Sequence, residues 1–251
     1  EVPATITDSQ SISLDYGDAN KLAISRQPVG GKTGDVLSTT PIVKVVDAYG
    51  NVVTSSTATI SAALTSTTLG DVVTGTSVAA SSGTAEFAAL NVQTIPGDRT
   101  LTFTSTGLLP ATSGTFTITH ADASQLVITT APVGGNRTGD RLSTQPIVEF
   151  RDRFGNLATS ETSTVAVSIS SGTNGSLTSS RETGETSVAA VGGIATFSGL
   201  GKYGLVGSVT LTAASGSLTT DSQTFNLTFG AAYQVAQIGR ASCRERVSSP
   251  V

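Results

Sequence analysis

His120 and Cys243 are the only histidine and the only cysteine in the chain. Ser–His–Asp and Cys–His mechanisms both place a histidine beside the nucleophile, so any such mechanism here must use His120. The positions equivalent to His120 in the neighbouring repeats, described below, hold Tyr16 and Phe229. Because this position accepts several kinds of ring, we predict no catalytic role for His120. We predict none for Cys243 either, because it lies in the tail that is interpreted below as non-native.

Asp47 and Asp152 each follow a predicted strand and precede a turn with the residues Gly50-Asn51 or Gly155-Asn156. Either carboxylate could be a ligand for calcium, which takes six to eight oxygen atoms. Alternatively, the aspartate caps the backbone of the turn, and glycine and asparagine supply positive φ angles. No Asp-x-Asp cluster surrounds either aspartate, so we predict turn caps. Two further aspartates next to glycines are interpreted in the same way: Asp35 and Asp140.

Asp15, Asp18 and Asp122 lie near the points where the repeats meet, and calcium bound there would stiffen the chain. Only Asp18 and Asp122 are equivalent, and the next such point holds Ala231. One acid at each point is too few for a calcium site. We therefore predict no metal-binding, cofactor-binding or catalytic residues, and calcium at these acids remains the alternative.

The glycine pairs Gly30-Gly31 and Gly134-Gly135 are not predicted to be phosphate-binding loops. A phosphate loop presents the N-terminus of a helix to its ligand, and no helical pattern follows either pair. We interpret both pairs as turns.

The chain repeats itself with a long period. Residues 37–43 recur at 142–148, and residues 47–51 recur at 152–156, a separation of 105 residues. Solenoid repeats have periods of about 20 to 50 residues, so this period indicates repeated domains.

The repeat divides the sequence into five parts. Two complete domains are predicted at residues 19–120 and 121–229, after the last strand of a preceding repeat at 1–18. Residues 230–237 match the start of a further repeat, and the repeat pattern ends after them. Residues 238–251 resemble the translation of a common sequencing adapter, which predicts a non-native tail, with a genuine divergent linker as the alternative. Without this tail the chain contains no cysteine and therefore no disulfide.

Within each unit the apolar residues alternate with a period of two. Val43 and Val45 are predicted to point inward, and Lys44 and Val46 outward. Short alternating runs separated by glycine- and serine-rich turns predict an all-β fold of tandem immunoglobulin-like β-sandwich domains with about seven strands each. The other predicted core residues include Ile60, Leu64, Phe87 and Phe116 in the first unit and Val165, Ile169, Phe197 and Phe225 in the second.

Composition argues against several kinds of partner. The net charge is −4, and no cluster of lysine and arginine residues could follow a phosphate backbone, so we predict no nucleic acid partner. No apolar run approaches the roughly 20 residues that cross a bilayer, so we predict no membrane contact by this segment. The chain has no tryptophan and no cluster of aromatic residues of the kind that binds carbohydrate.

Residues 41–47, residues 50–53, Phe87 and Leu90 form a pattern of core and turn residues. This pattern resembles bacterial immunoglobulin-like domains of the invasin and intimin type, in both complete units. The resemblance implies a segment of a large bacterial cell-surface adhesin-like protein, located outside the cell and without enzymatic activity. Its expected partners are the neighbouring immunoglobulin-like repeats of the same chain.

Two roles are compatible with this resemblance. The first is a structural spacer, in which a ring at Tyr16, His120 or Phe229 packs on the following domain and limits bending. Each domain would then add about 25 to 35 Å to an array arranged end to end. The alternative is a module that binds a glycan or host protein through loops that differ between the repeats, such as residues 69–75 and 172–184. We expect the spacer, and the ligand in the alternative is unknown.

Overall fold

The structure is a computed structural model, and it describes residues 13–134, 140–172, 175–179, 185–204, 206–218 and 222–227. All regular elements in these ranges are β-strands. The abundant threonine and valine residues favour this outcome, because side chains branched at Cβ fit a pleated surface and lose rotamer freedom in a helix. The prediction of an all-β chain is confirmed. The described ranges contain no apolar helix long enough to span a membrane.

The first repeat contains two antiparallel sheets. One has three strands in the order β1-β2-β6, and the other has four strands in the order β10-β9-β3-β5. Two further pairs join β4 to β7 and β8 to β11. The strand bounds are β1 Lys21–Arg26, β2 Ile42–Val46, β3 Thr59–Leu64, β4 Val72–Thr74, β5 Ser77–Ala79, β6 Thr84–Glu86, β7 Asn91–Gln93, β8 Gly97–Arg99, β9 Leu101–Thr104, β10 Ala111–Thr112 and β11 Phe116–Ile118.

Both sheets of the first repeat contribute side chains to one core. In β3 every second residue is buried, and Val43 and Val45 of β2 and the buried residues of β9 belong to the same cluster. Phe87, which follows β6, is fully buried, and the centroid of its ring lies 5.2 Å from that of Phe103 at an interplanar angle of 57°. The three-stranded and four-stranded sheets therefore form an immunoglobulin-like β-sandwich, and the prediction that Phe87 is a core residue is confirmed.

The second repeat has the same strand order. Its sheets are β12-β13-β17 and β16-β14-β19-β20, and β15 pairs with β18. Phe150, Val165 and Leu211 are buried, and Phe197 is 2% exposed, as predicted. The strand bounds are β12 Ala123–Thr130, β13 Ile147–Asp152, β14 Thr164–Gly172, β15 Gly175–Ser179, β16 Ser187–Ala189, β17 Ile194–Thr196, β18 Leu200–Gly204, β19 Gly207–Ala214 and β20 Ser222–Leu227.

Val46 departs from the predicted alternation. We expected its side chain to point outward, but only 3% of it is exposed. After the turn at residues 47–51 the chain returns along the end of β2, where Val46 forms an isolated antiparallel bridge with Val52. The returning segment covers a side chain that the period of two assigns to solvent.

The chain divides into two compact units. In the described residues, the first unit extends to Gln125 and also includes Glu149–Thr162 and Val191–Ile194, and the remaining residues form the second unit. The domain boundaries proposed from the sequence, 19–120 and 121–229, stay predictions. Several predicted features lie outside the described residues: residues 1–12 of the preceding repeat, Phe229, the segment 230–237, and the tail 238–251 with Cys243.

Candidate functional site

A buried aspartate in each repeat joins a turn to the segment that precedes the first strand. We call residues 15–20, before β1, and residues 120–122, before β12, the leading segments. Asp47 is 1% exposed. Its Oδ1 atom accepts hydrogen bonds from the backbone N–H of Tyr49 at 3.0 Å and of Asn51 at 2.8 Å. Its Oδ2 atom accepts from the Asn51 amide at 3.0 Å and from the Gly17 N–H of the leading segment at 2.9 Å.

Asp152 repeats this arrangement in the second copy. Its side chain is fully buried. Its Oδ1 atom accepts from the N–H of Phe154 at 2.8 Å and of Asn156 at 2.9 Å. Its Oδ2 atom accepts from the Asn156 amide at 3.0 Å and from the Ala121 N–H at 2.9 Å. The predicted turn caps are therefore present in both repeats, and each carboxylate also holds the preceding leading segment.

These hydrogen bonds favour the ionised carboxylates. The side-chain amide of Asn51 and the N–H of Gly17 lower the pKa of Asp47 to about 2. For Asp152 burial raises the pKa, but the hydrogen bonds from Asn156, Ala121 and Phe154 outweigh burial, so the pKa lies below its ordinary value. Both aspartates are therefore acceptors for N–H groups at neutral pH.

The conformation of the turns corrects one detail of the sequence interpretation. Gly50 and Gly155 have φ angles of 97° and 84°, as expected. Asn51 and Asn156 were expected to supply positive φ as well, but among the described residues Ser82 is the only non-glycine residue with positive φ. The asparagines instead donate their side-chain amides to the carboxylates.

A ring in each leading segment contacts a second loop of the same repeat. The Tyr16 hydroxyl oxygen accepts a hydrogen bond from the Ser55 N–H at 3.1 Å, and His120 Nε2 lies 3.2 Å from the Ser160 nitrogen. The sequence predicted rings at these positions, but it predicted packing rather than hydrogen bonds. Each leading segment is thus held by an aspartate carboxylate and by a serine N–H. The aspartate and the serine of the first repeat each lie 105 residues before the equivalent residue of the second repeat.

The surroundings of these aspartates bear on calcium as a ligand. In these ranges no group of three or more His, Cys, Asp or Glu residues could hold a metal ion. Both oxygens of Asp47 and of Asp152 face N–H donors, whose positive ends would repel a cation. Asp15 and Asp18 are exposed.

Two other predicted aspartates take part in ion pairs within the first compact unit. Asp122 Oδ1 lies 2.5 Å from Lys32 Nζ, and Asp35 Oδ1 lies 3.2 Å from Arg153 Nη2. The carboxylate of Asp35, which the sequence interpretation made a turn cap, therefore contacts a guanidinium that is distant in the sequence. Asp140 is exposed.

The first glycine of each pair, Gly30 or Gly134, is a site of close backbone approach rather than part of a turn. A Cβ atom on Gly30 would lie 1.8 Å from the carbonyl oxygen of Thr117, and one on Gly134 would lie 2.1 Å from that of Asn226. These residues are therefore glycines because no side chain fits against the last strand of the repeat. Gly135 lies outside the described residues.

Lys202 is a buried residue that the sequence interpretation missed. It lies in β18 and is 1% exposed, and burial lowers its pKa below the ordinary value. The carbonyl oxygens of Leu90 and Leu200 accept equivalent hydrogen bonds, from Leu37 and Leu142, so the first-repeat counterpart of Lys202 is the buried Val92. A lysine in an alternating run normally faces solvent. The sequence could therefore have indicated that Lys202 is buried only through its alignment with the apolar Val92 of the first repeat.

Comparisons with known proteins find similar structures but no matching family. No protein-family model matches the chain, and no curated protein matches it. The Escherichia coli adhesin FdeC is similar over 84% of this chain and 65% of its own, with 18% identity and a TM-score of 0.41. The bacterial integrin-binding protein invasin is similar over 83% of this chain and 39% of its own, with 15% identity and a TM-score of 0.33.

A β-glycosidase from Bacteroides vulgatus is similar to the same extent, over 84% of this chain and 25% of its own, with 13% identity and a TM-score of 0.35. The chain thus spans less than two thirds of each of these three proteins. At these scores adhesins and a glycosidase match about equally well, so the likenesses do not distinguish a function. The description of the fold rests on the strand pairing of the chain itself.

Proposed function

We propose that the chain is a structural spacer segment of a bacterial cell-surface adhesin-like protein. The observation that carries this proposal is the double attachment of each leading segment, through Asp47 and Tyr16 in one repeat and through Asp152 and His120 in the next. A spacer must limit the freedom of the chain where a domain begins, and two hydrogen-bonded contacts restrict backbone rotation there.

The proposal includes the absence of catalysis and of a cofactor. The two polar partners of the His120 ring nitrogens are the backbone groups of Ala121 and Ser160, which offer no nucleophile. The buried carboxylates are engaged by N–H donors. The proposed location is the outside of the cell, and the proposed partners are the adjoining immunoglobulin-like repeats of the same protein.

Small-angle X-ray scattering of the full chain tests the spacer role. An array arranged end to end should gain about 25 to 35 Å of length for each domain, since sandwich strands rise about 3.3 Å per residue. The profile should not change when a chelator is added, because the capped aspartates need no calcium. A compact profile with the domains side by side would refute the proposal, and a collapse on chelation would show that calcium supports the array.

The alternative role, a binding module, is favoured by one observation in the first repeat. Leu69 is fully exposed, and Ile95 and Val72 are each about half exposed, at 56% and 47%. Such apolar side chains can anchor a partner. Glycan arrays and host-cell adhesion assays with the chain and with Leu69→Ser separate the two roles. Binding that Leu69→Ser abolishes would favour the module over the spacer.

A further inference from the structure

The imidazole of His120 lies between two backbone groups that specify its protonation. Nδ1 is 2.7 Å from the carbonyl oxygen of Ala121, and Nε2 is 3.2 Å from the nitrogen of Ser160. A carbonyl oxygen only accepts and a backbone N–H only donates, so both hydrogen bonds form only when Nδ1 carries the proton and Nε2 is bare. The ring must therefore be neutral.

The first repeat makes the same contact without a group that protonates in weak acid. The Tyr16 hydroxyl oxygen accepts from the Ser55 N–H at 3.1 Å. Hydrogen bonds with the side chains of Ser55 and Thr54 are the main causes that lower the pKa of Tyr16 from its ordinary value, and the Ser55 N–H contributes less. A phenol of lowered pKa is still neutral in weak acid. The Tyr16 contact is consequently independent of pH in the range in which histidine titrates, about pH 5 to 8.

Protonation of His120 has the opposite consequence. A proton on Nε2 would face the Ser160 N–H, so the hydrogen bond would be replaced by contact between two donors. The ring is half-buried, so part of it is open to solvent. The Ala121 side of the ring is unaffected, because Nδ1 is a donor in both forms.

Several charged groups lie near the ring. On its own segment the neighbour is Asp122, whose pKa is lowered first by the hydrogen bond from Lys32. The Asp152 carboxylate accepts from the Ala121 N–H beside the ring. The groups on the surrounding elements are Lys32, Asp122, Asp152, Arg153 and Glu161. Of these groups, Lys32 and Arg153 are donors only and cannot accept from the Ser160 N–H.

We propose that the second leading segment contains a pH-sensitive attachment: protonation of His120 in mild acid releases it from the Ser160 loop, while Tyr16 keeps the first segment attached to Ser55. This inference concerns the local hydrogen bond and does not depend on the spacer role. Its failure would leave the scattering test unchanged, and a failed scattering test would leave it intact.

Nuclear magnetic resonance of the full chain labelled with ¹⁵N tests the proposal. At pH 7.5 the ring nitrogens of His120 should report the Nδ1–H tautomer. Between pH 7.5 and 5 the exchange protection factor of the Ser160 amide, corrected for the intrinsic rate, should fall by about fivefold or more, the equivalent of one hydrogen bond. The Ser55 amide in the same sample should change by less than about twofold.

The matched control is His120→Tyr, which places the first-repeat ring in the second repeat. This variant should keep the Ser160 amide protected at both pH values. Asp122→Asn should retain the loss of protection, since the carboxylate is not part of the hydrogen bond. An Nε2–H tautomer, an unchanged Ser160 amide in the unmodified chain, or an equal loss in His120→Tyr would each overturn the proposal.

Discussion

In each repeat, two buried residues face each other across a pair of neighbouring strands. The larger of the two lies on one of these strands in the first repeat and on the other in the second repeat. In the first repeat Ala62 of β3 lies opposite Phe103 of β9, and in the second Val167 of β14 lies opposite Ala213 of β19. All four side chains are buried. Core packing thus constrains the pair across the two strands rather than either position alone.

The capped turns vary in a different way. Gly17 in the first repeat is Ala121 in the second, and both donate a backbone N–H to the aspartate at 2.9 Å. The ring changes from Tyr16 to His120, yet each ring supplies an acceptor atom to a serine N–H. Where the backbone N–H of a residue makes the hydrogen bond, as at Gly17 and Ala121, the side chain of that residue can change. In the core, a change at one position needs a matching change nearby.

The largest expected effect concerns the core phenylalanines. Phe87→Ala should lower the free energy of unfolding of its repeat by about 3 to 5 kcal/mol, because it leaves a cavity. Phe197→Ala should cost about 0.5 to 1.5 kcal/mol less, because in the described part of the chain only Phe87 also loses a contact with a ring, that of Phe103. Urea unfolding followed by circular dichroism measures both changes. A loss below about 1 kcal/mol for Phe87→Ala would contradict its role in the core.

The exchange of the buried pair provides a second test. Ala213→Phe alone should destabilise the second repeat by about 1 to 3 kcal/mol through overpacking. Adding Val167→Ala should recover part of this loss, since it recreates the Ala62–Phe103 combination of the first repeat. A double-mutant cycle from urea unfolding gives the coupling. Strictly additive effects would show that the two positions do not share space.

The capped aspartates predict a pH dependence of stability. The folded-state pKa of Asp47, about 2, is below that of an unfolded aspartate, near 3.9. The stabilisation is therefore complete above about pH 5 and is lost as the pH falls from about 4 towards 2.

Unfolding by urea at pH 5, 3 and 2 measures this dependence. Asp47→Asn should flatten the decline, because an amide does not titrate. Asp140→Asn serves as the control, since Asp140 is exposed. Equal declines in Asp47→Asn and in the unmodified chain would assign the pH dependence to other groups.

The smallest expected effect on stability comes from a difference between two hairpin turns. The turn between Ser81 and Thr84 has φ angles of 48° at Ser82 and 72° at Gly83, and the equivalent turn has Gly192 and Gly193 at 59° and 79°. A residue with a Cβ is strained at positive φ, so Ser82→Gly should stabilise the first repeat by about 0.5 kcal/mol. Gly192→Ser should destabilise the second. Thermal unfolding measures both shifts, and shifts of the same sign would contradict this account of the turns.

Much of the fold could be predicted from local patterns. The alternation of Ile60 and Leu64 predicted an inward face, and the turn after Asp47 predicted a cap. The exceptions depend on contacts that a strand makes with other segments of the chain. Val46 is buried because the chain returns past it, and Gly30 is a glycine because the Thr117 carbonyl oxygen approaches it. Neither contact can be predicted from the periodicity of the sequence.

The sequence by itself determined the strands and the residues that cap the turns after Asp47 and Asp152, because these depend on neighbours within a few positions. It also determined the repeat, because the same residue types recur 105 positions later. Only the tertiary structure decided that Asp47 also holds Gly17 and that His120 accepts a hydrogen bond from Ser160. Those contacts join atoms 30 and 40 residues apart. Their geometry follows from how the strands pack, which residue spacing alone does not specify.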